Sequence, residues 1–406
     1  MLFKLALRNI LRNKRRSLFT GLSMLVGYML LVISLSIQDG TYHWVLKNYT
    51  KGQTGHIQLL HVDFLDQPSL YNTLDESSQL IDKISGFPWV ESVTERIEAA
   101  ALAYGENQGS TVALLGINPK KENNLRNLEG RISLGRYLHQ GPSDALIGSR
   151  VSDQLHLTIG DSIVLISQAA DGSMANALFN VVGVISDKDE HMSNSVLMRI
   201  EDLQSFLYMG NKAHRILINI KDYRDSEKYV AILNNWLNET YPQSKVRAFS
   251  WQQVEKEFYR TMSVDKEGNQ LGMYIIVFLV CLGVLNTILM SLLERKGEYG
   301  VLKAVGVNKL HLFSTIIAEA QLLCFICCLL GFILVFPINF YFYSQGIPLE
   351  QPMDLSGINI DALRGVLTIN VFLQPLFLLM VSTLLLTIIP AWRAASIRPL
   401  DGMNAL

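Results

Sequence analysis

Apolar and polar positions are spread so unevenly along this chain that they partition it. Leu18 to Ile37 is an uncharged run of about 20 residues, the length at which an α-helix crosses a hydrocarbon core of about 30 Å. Met273–Leu293, Leu312–Phe336 (with an aromatic extension through Tyr343) and Phe372–Ala391 match it, and Glu319 is the one charge inside them. The pattern predicts spans at 18–38, 273–293, 311–343 and 372–392, with both chain ends on one side of a membrane. The first run is longer than the roughly 7 to 15 apolar residues of a secretory signal, so it reads as a retained anchor.

Net charge is close to zero, with 35 Lys and Arg against 36 Asp and Glu, so distribution carries the information. Lys4, Arg8, Arg12, Lys14, Arg15 and Arg16 precede the first span. Arg295, Lys296, Lys303 and Lys309 separate the second from the third, and Arg393 and Arg398 follow the fourth. All three regions are expected on the cytoplasmic side. The loop 344–371, with Glu350, Asp354 and Asp361 against Arg364, is expected outside, and with it the long insert 39–272. Residues 1–17 place cations on one helical stripe and Leu2, Phe3, Leu7, Ile10 and Leu11 elsewhere, an amphipathic helix suited to anionic lipid headgroups.

Inside the insert the period changes to that of mixed α/β structure. Strand character at Gly55–Val62, helical polarity at Asp75–Ser85, and strands at Val93–Tyr104 and Thr111–Ile117 give a βαββ unit. Residues 131–203 read as short strands punctuated by glycine and aspartate, an inserted β-rich lobe. Arg215–Ile220, Ser226–Tyr241 and Val246–Trp251 then read as strand, amphipathic helix and strand that complete the first lobe, about 39–130 and 204–260. The chain after Trp251 is expected to run as a helix into the second span, with a break at Gly268.

Candidate chemistry narrows the picture mainly by exclusion. The chain has no phosphate-loop pattern, no nucleophile elbow and no zinc-protease helix, and its histidines are scattered, so it reads as a non-catalytic subunit with no cofactor of its own. All four cysteines, Cys281, Cys324, Cys327 and Cys328, fall in spans, which leaves the outer insert without a disulfide. The close grouping of Cys324, Cys327 and Cys328 is read as membrane packing and not as a metal site. Glu319 either pairs with a cation of the 294–310 segment such as Lys303, or marks a third span that starts later. Asn286 and Thr287, with Gly283 nearby, suit a contact between helices, and Pro337 and Pro390 read as helix terminators or kinks.

The segment 294–310, where charges and glycines alternate between two apolar helices, reads as a second short helix lying on the cytoplasmic face. It carries Glu294, Arg295, Glu298, Tyr299, Gly300, Lys303, Ala304 and Gly306. Together with ALRNILRNKRRSLFT (Ala6–Thr20) and IPAWRAASIRPL (Ile389–Leu400), LERKGEYGVLKAVGV (Leu293–Val307) resembles the marks of ABC-transporter permeases of the FtsX, MacB and LolC/LolE superfamily. In that family a coupling segment E-x-G-x-x-x-A-x-G falls on Glu298, Gly300, Ala304 and Gly306, and a terminal P-A-x-x-A-A on Pro390, Ala391, Ala394 and Ala395.

The resemblance implies a four-helix membrane protein with a large mixed α/β periplasmic domain, a porter-like lobe carrying an inserted β-rich lobe, in the bacterial inner membrane. It implies two copies of a separate ATPase that bind ATP and magnesium, and a second permease, identical or paralogous. Movement of the outer domains then performs the work by mechanotransmission, without nucleic acid and with membrane lipids as surroundings. TGHIQLLHVDFLDQPSLYNT looks more like the lipoprotein-releasing LolE-type branch than the MacB branch, which points to extraction of lipidated cargo and a periplasmic carrier or adaptor. The alternatives are a MacB-like export pump and an FtsX-like regulator of a cell-wall hydrolase. QAADGSMANA, Gln168–Ala177, departs from the long carrier-recruiting hook of LolC-type subunits. In such a permease a lateral opening for acyl chains is expected from Met24, Leu25, Tyr28, Leu31 and Leu35 on the first span and Ile276, Val280 and Val284 on the second.

Overall fold

A computed structural model describes residues 14–105, 108–138, 141, 143–186, 192–355 and 358–397. The chain forms two compact units. One comprises the described residues up to Trp44 with Met262–Gln351 and those from Asp361 on, and the other Val45–Thr261 with Pro352–Ile360. The expected amphipathic helix up to residue 13, His139, His191 and the tail from Arg398 lie outside the described residues.

The first span belongs to a much longer helix, α1 (Lys14–Tyr49), which widens into a π-helical turn at Thr50–Thr54. There follow β1 (Ile57–His61), α2 (Ser77–Ser85), β2 (Val90–Tyr104), β3 (Gly109–Ile117) and α3 (Pro119–Arg126). Next come β4 (Ile132–Gly135), β5 (Asp144–Gly148), α4 (Ser149–Leu155), β6 (Ser162–Gln168), β7 (Met174–Ile185), β8 (Ser195–Arg199) and α5 (Ile200–Phe206). The outer unit closes with β9 (Arg215–Ile220), α6 (Ser226–Thr240), β10 (Val246–Ser250) and the short α7 (Trp251–Val254).

One ten-stranded sheet carries all of these strands, in the order β10-β1-β9-β2-β3-β8-β5-β7-β4, with β6 joining β2 to β7. The first part is a two-layer α/β arrangement. Leu80, Ile81 and Ile84 of α2 and Val230, Leu233 and Leu237 of α6 bury against Ile57, Leu59, Val93, Ile216 and Ile218. The second part closes on itself, since β2, β3, β8, β5, β7 and β6 pair in a ring. Ile97, Ala101, Ala103, Val112, Leu114, Ile163, Leu165, Phe179 and Val196 fill its core, capped by Leu155 of α4 and Leu203 of α5. The expected division into a first lobe and an inserted lobe at 131–203 is thus corrected: the ring is incomplete without β2 and β3. The reason is length, because the fifteen residues of β2 pair with β9 over Val90–Arg96 and with β3 and β6 beyond it.

The helical unit contains α8 (Lys256–Glu294), α9 (Lys296–Ala304), α10 (Lys309–Ser344) and α11 (Ile369–Ala395) along with most of α1. Four of these helices, α1, α8, α10 and α11, are long and apolar enough to cross a membrane. The expected break at Gly268 is absent. The chain instead breaks at Glu255, and α8 runs through Gly268, whose missing side chain meets nothing within 4 Å. Pro337 and Pro390 lie inside α10 and α11 and end neither, as does Pro375. The outer loop holds a two-stranded sheet, β11 (Ile347–Leu355) with β12 (Ile358–Leu363), that hydropathy did not anticipate. Small residues set the helix spacing: a Cβ on Gly27 would lie 2.5 Å from Val280 Cγ2, and one on Gly331 2.8 Å from the Tyr28 ring.

Candidate coupling site

The segment between α8 and α10 is organised by one arginine. Arg295, 7% exposed, donates from Nε to Glu298 Oε2 at 3.0 Å and from one terminal nitrogen to both carboxylate oxygens of Glu319 at 3.1 and 3.0 Å. Its guanidinium also lies 5.4 Å from the centre of the buried Tyr299 ring. Burial alone would lower its pKa, but Tyr299, Glu319 and Glu298 raise it above the ordinary arginine value, so the group stays cationic. Glu319 therefore has a coupling-segment partner, and the partner is Arg295. Lys303 instead donates to the carbonyl of Ile397 at 2.9 Å.

α9 seats one face and presents the other. Gly297, Tyr299 and Gly300 are buried, while Val301, Leu302 and Val305 are exposed, Val305 by 79%. Glu294, Glu298, Ala304 and Gly306 are also on the exposed side. The helix ends in a Schellman motif, with Gly306 N–H donating to Lys303 O at 3.0 Å and Val307 N–H to Leu302 O at 3.1 Å. Gly306 has φ 97°, which a side chain would strain. Asn308 then caps α10 by accepting from Leu310 N–H at 3.3 Å. Beside it, Lys309 Nζ sits 3.8 Å above the Trp392 ring, and Phe313 meets that ring edge-on. Two helix ends meet at a sharp turn backed by buried polar groups and fronted by apolar side chains.

The residues expected to line an acyl opening are placed differently. Met24, Tyr28, Leu31, Leu35 and Val284 are buried in the chain's own helical core, and Leu25, Ile276 and Val280 pack against it. Tyr28 also donates to Phe372 O at 3.2 Å. The expectation fails because these positions form the inward stripe of α1 and α8. The exposed stripes are Phe19, Leu22, Val26 and Leu30 on α1 and Ile275, Phe278, Leu279 and Leu282 on α8. Asn286 falls on this exposed side of α8, and not in the core of the bundle.

In the outer unit, a cleft of about 1270 Å³ lies over the outward face of β2 and β3, with Phe64, Leu70, Leu102 and Met174 among its walls. Its ion pair, Arg215 Nε to Glu98 Oε1 at 3.0 Å, links neighbouring strands. The segment Gln168–Ala177 is a tight hairpin tip. Asp171 accepts from Ser173 N–H and Oγ there, and Gly172 takes φ 86°.

Residues 17–235 match the family model described as the MacB-like periplasmic core domain, and residues 271–399 match that of the FtsX-like permease C-terminal region. The lipoprotein-releasing system transmembrane protein LolC of Buchnera aphidicola subsp. Schizaphis graminum is 24% identical over 327 residues, 76% of each chain. The macrolide export ATP-binding/permease protein MacB of Acinetobacter baylyi is 21% identical over 344 residues, 82% of this chain and 50% of its own length. This chain thus spans about half the length of that MacB relative. The solved periplasmic region of MacB from Actinobacillus actinomycetemcomitans is 17% identical with a TM-score of 0.39, covering 53% of this chain and 98% of that one. One family region covers just over half of the chain and the other the helices around the coupling segment, and the chain belongs to the ABC transporter permeases that combine a MacB-like periplasmic core domain with an FtsX-like permease region.

Proposed function

We propose that this chain is a permease subunit of the bacterial inner membrane that extracts lipoproteins or other lipidated cargo, driven by a separate ATPase. Two copies of that ATPase bind ATP and magnesium, engage α9 of this chain and of a second permease, and the resulting displacement moves the outer domains. The observation that carries the reading is the build of α9: Tyr299 and Arg295 fasten one face, and Val301, Leu302 and Val305 offer the other at a turn rigidified by Gly306. A buried polar seat under an exposed apolar ridge suits a helix that receives force from another protein. Lipidated cargo is favoured by the LolC relative, whose match covers the same share of both chains. The short hairpin at Gln168–Ala177 gives no extended hook, so recruitment of a periplasmic carrier falls to the partner permease.

A second reading, export through a periplasmic adaptor, is favoured by the match of residues 17–235 to the MacB-like core. The two separate on one experiment. The chain is purified with an ATPase that binds but does not hydrolyse ATP, and trapped ligands are identified by mass spectrometry. Recovery of acylated protein supports release. Recovery of an adaptor with no lipidated ligand sinks it in favour of export.

A further inference from the structure

The outer end of α1 is fastened in an unusual way. The π-helical turn Thr50–Thr54 follows α1 directly, and Gly55, at φ 69°, stops it. The last carbonyls of a helix lack partners within it and carry its negative pole. Here two arginines meet them. Arg96 of β2 donates to Gly52 O at 2.9 Å and to Gln53 O at 2.5 Å, and Arg126 of α3 donates from Nε to Gly52 O at 2.7 Å and reaches the Gln53 side chain.

Both guanidiniums share one carboxylate. Glu122, fully buried, takes Arg96 in a two-point contact of 2.6 and 3.0 Å and lies 4.0 Å from Arg126 Nε. Burial pushes the Glu122 carboxyl up, and the two cations more than reverse this, holding it below the usual carboxylate range. The placement is local in origin. Asn118 and Pro119 start α3, and an eight-residue helix sets Glu122 and Arg126 four apart on one face. On another side of the turn, Tyr49 stacks on Phe258 of α8 at 3.8 Å, with planes 18° apart, and hydrogen-bonds Glu255.

The charged forks fix α1 to β2 at several points with few soft torsions, so α1 cannot shift along its axis without breaking them or carrying β2 with it. β2 in turn contributes to two cores of the outer unit, Val93 to that of the α/β part and Ile97, Ala101 and Ala103 to that of the ring. We infer that the Arg96–Glu122–Arg126 cluster is the joint at which displacement of α1 is handed to β2 and thereby to the whole outer domain. The inference rests on the permease reading above, and the three side chains are positioning residues.

The test uses the full chain reconstituted with its co-purifying ATPase in nanodiscs, with ATP hydrolysis and hydrogen exchange measured side by side. In the wild type, ATP binding changes exchange along β2. Arg126→Lys keeps the cation but loses the fork, and Glu122→Gln keeps an acceptor but loses the charge. Both are expected to reduce the ATP-dependent change in β2 at least fivefold, with hydrolysis held within twofold and the ring strands β5 and β8 still protected. Should Glu122→Gln unprotect the ring, the milder Arg126→Lys decides. An unchanged β2 response in Arg126→Lys overturns the joint and leaves the permease reading standing, as does a parallel loss of hydrolysis and response. A wild type whose β2 ignores ATP overturns the permease reading, and the joint with it.

Discussion

Arg295 earns its position through the two carboxylates it holds, and they differ in burial. Glu319 is 17% exposed and Glu298 45%. Glu319→Ala leaves a buried guanidinium short of its main counter-charge and is expected to cost about 3 kcal/mol, whereas Glu298→Ala costs under about 1 kcal/mol. Thermal unfolding of the detergent-solubilised chain measures both, and equal losses would contradict the assignment. In the outer unit, His56 is buried and accepts from Ile220 N–H on Nδ1, and burial pushes its pKa down to about 4. The unfolded chain, with an ordinary value near 6.5, takes up the extra proton first. The stability contributed by neutral His56 is therefore whole above pH 6.5 and lost as pH falls toward 4, by at most about 3 kcal/mol. His214, also depressed by burial, acts in the same direction. Melting of the outer unit, followed through Trp89, Trp236 and Trp251, should fall between pH 7 and 4.5, and less so in His56→Asn, whose amide oxygen can replace Nδ1. An identical slope in that variant would remove His56 from the account.

Among the elements, α9 gives the sharpest expectation. Leu302→Glu and Val305→Glu place charge on the exposed face of α9, so unfolding should stay within about 0.5 kcal/mol of wild type. The ATPase retained in pull-downs should drop at least tenfold, and full retention would mean that the ATPase engages some other surface. The existence of α9 was legible because charges and glycines interrupt an apolar pattern, and Gly306 marks its end. The strands at Arg215–Ile220 and Val246–Ser250 and the helix at Ser226–Thr240 were legible from period alone. Pairing between distant strands was not, and so the ring borrowing β2 and β3 went unseen. Nor was the fastening of α1 legible, because Arg96, Glu122 and Arg126 lie in stretches whose polarity reads as surface. The four-residue spacing of Glu122 and Arg126 behind Asn118 and Pro119 is the one signal that pointed to it. The inward stripe of α1 was mistaken for a lining because a uniformly apolar helix does not declare which side meets its neighbours.

Taken whole, the molecule comprises a helical unit that carries the candidate coupling site and an outer unit in which one long strand, β2, contributes to both the α/β core and the core of the ring. A disulfide has no part in holding the outer unit, since every cysteine of the chain lies in a span. Its integrity rests on Ile97, Leu114, Ile216 and their neighbours, and on the polar fastening around Glu122. The long β2 also bears on how such a chain can be inherited. A genetic crossover that replaced residues 131–203 alone would close the ring with four strands of the donor against β2 and β3 of the recipient, two staves not shaped for the others. Only an exchange that also carries 90–117 keeps the six ring strands a matched set, so inherited variation should gather at loop tips such as 169–173, with the frame passed on entire.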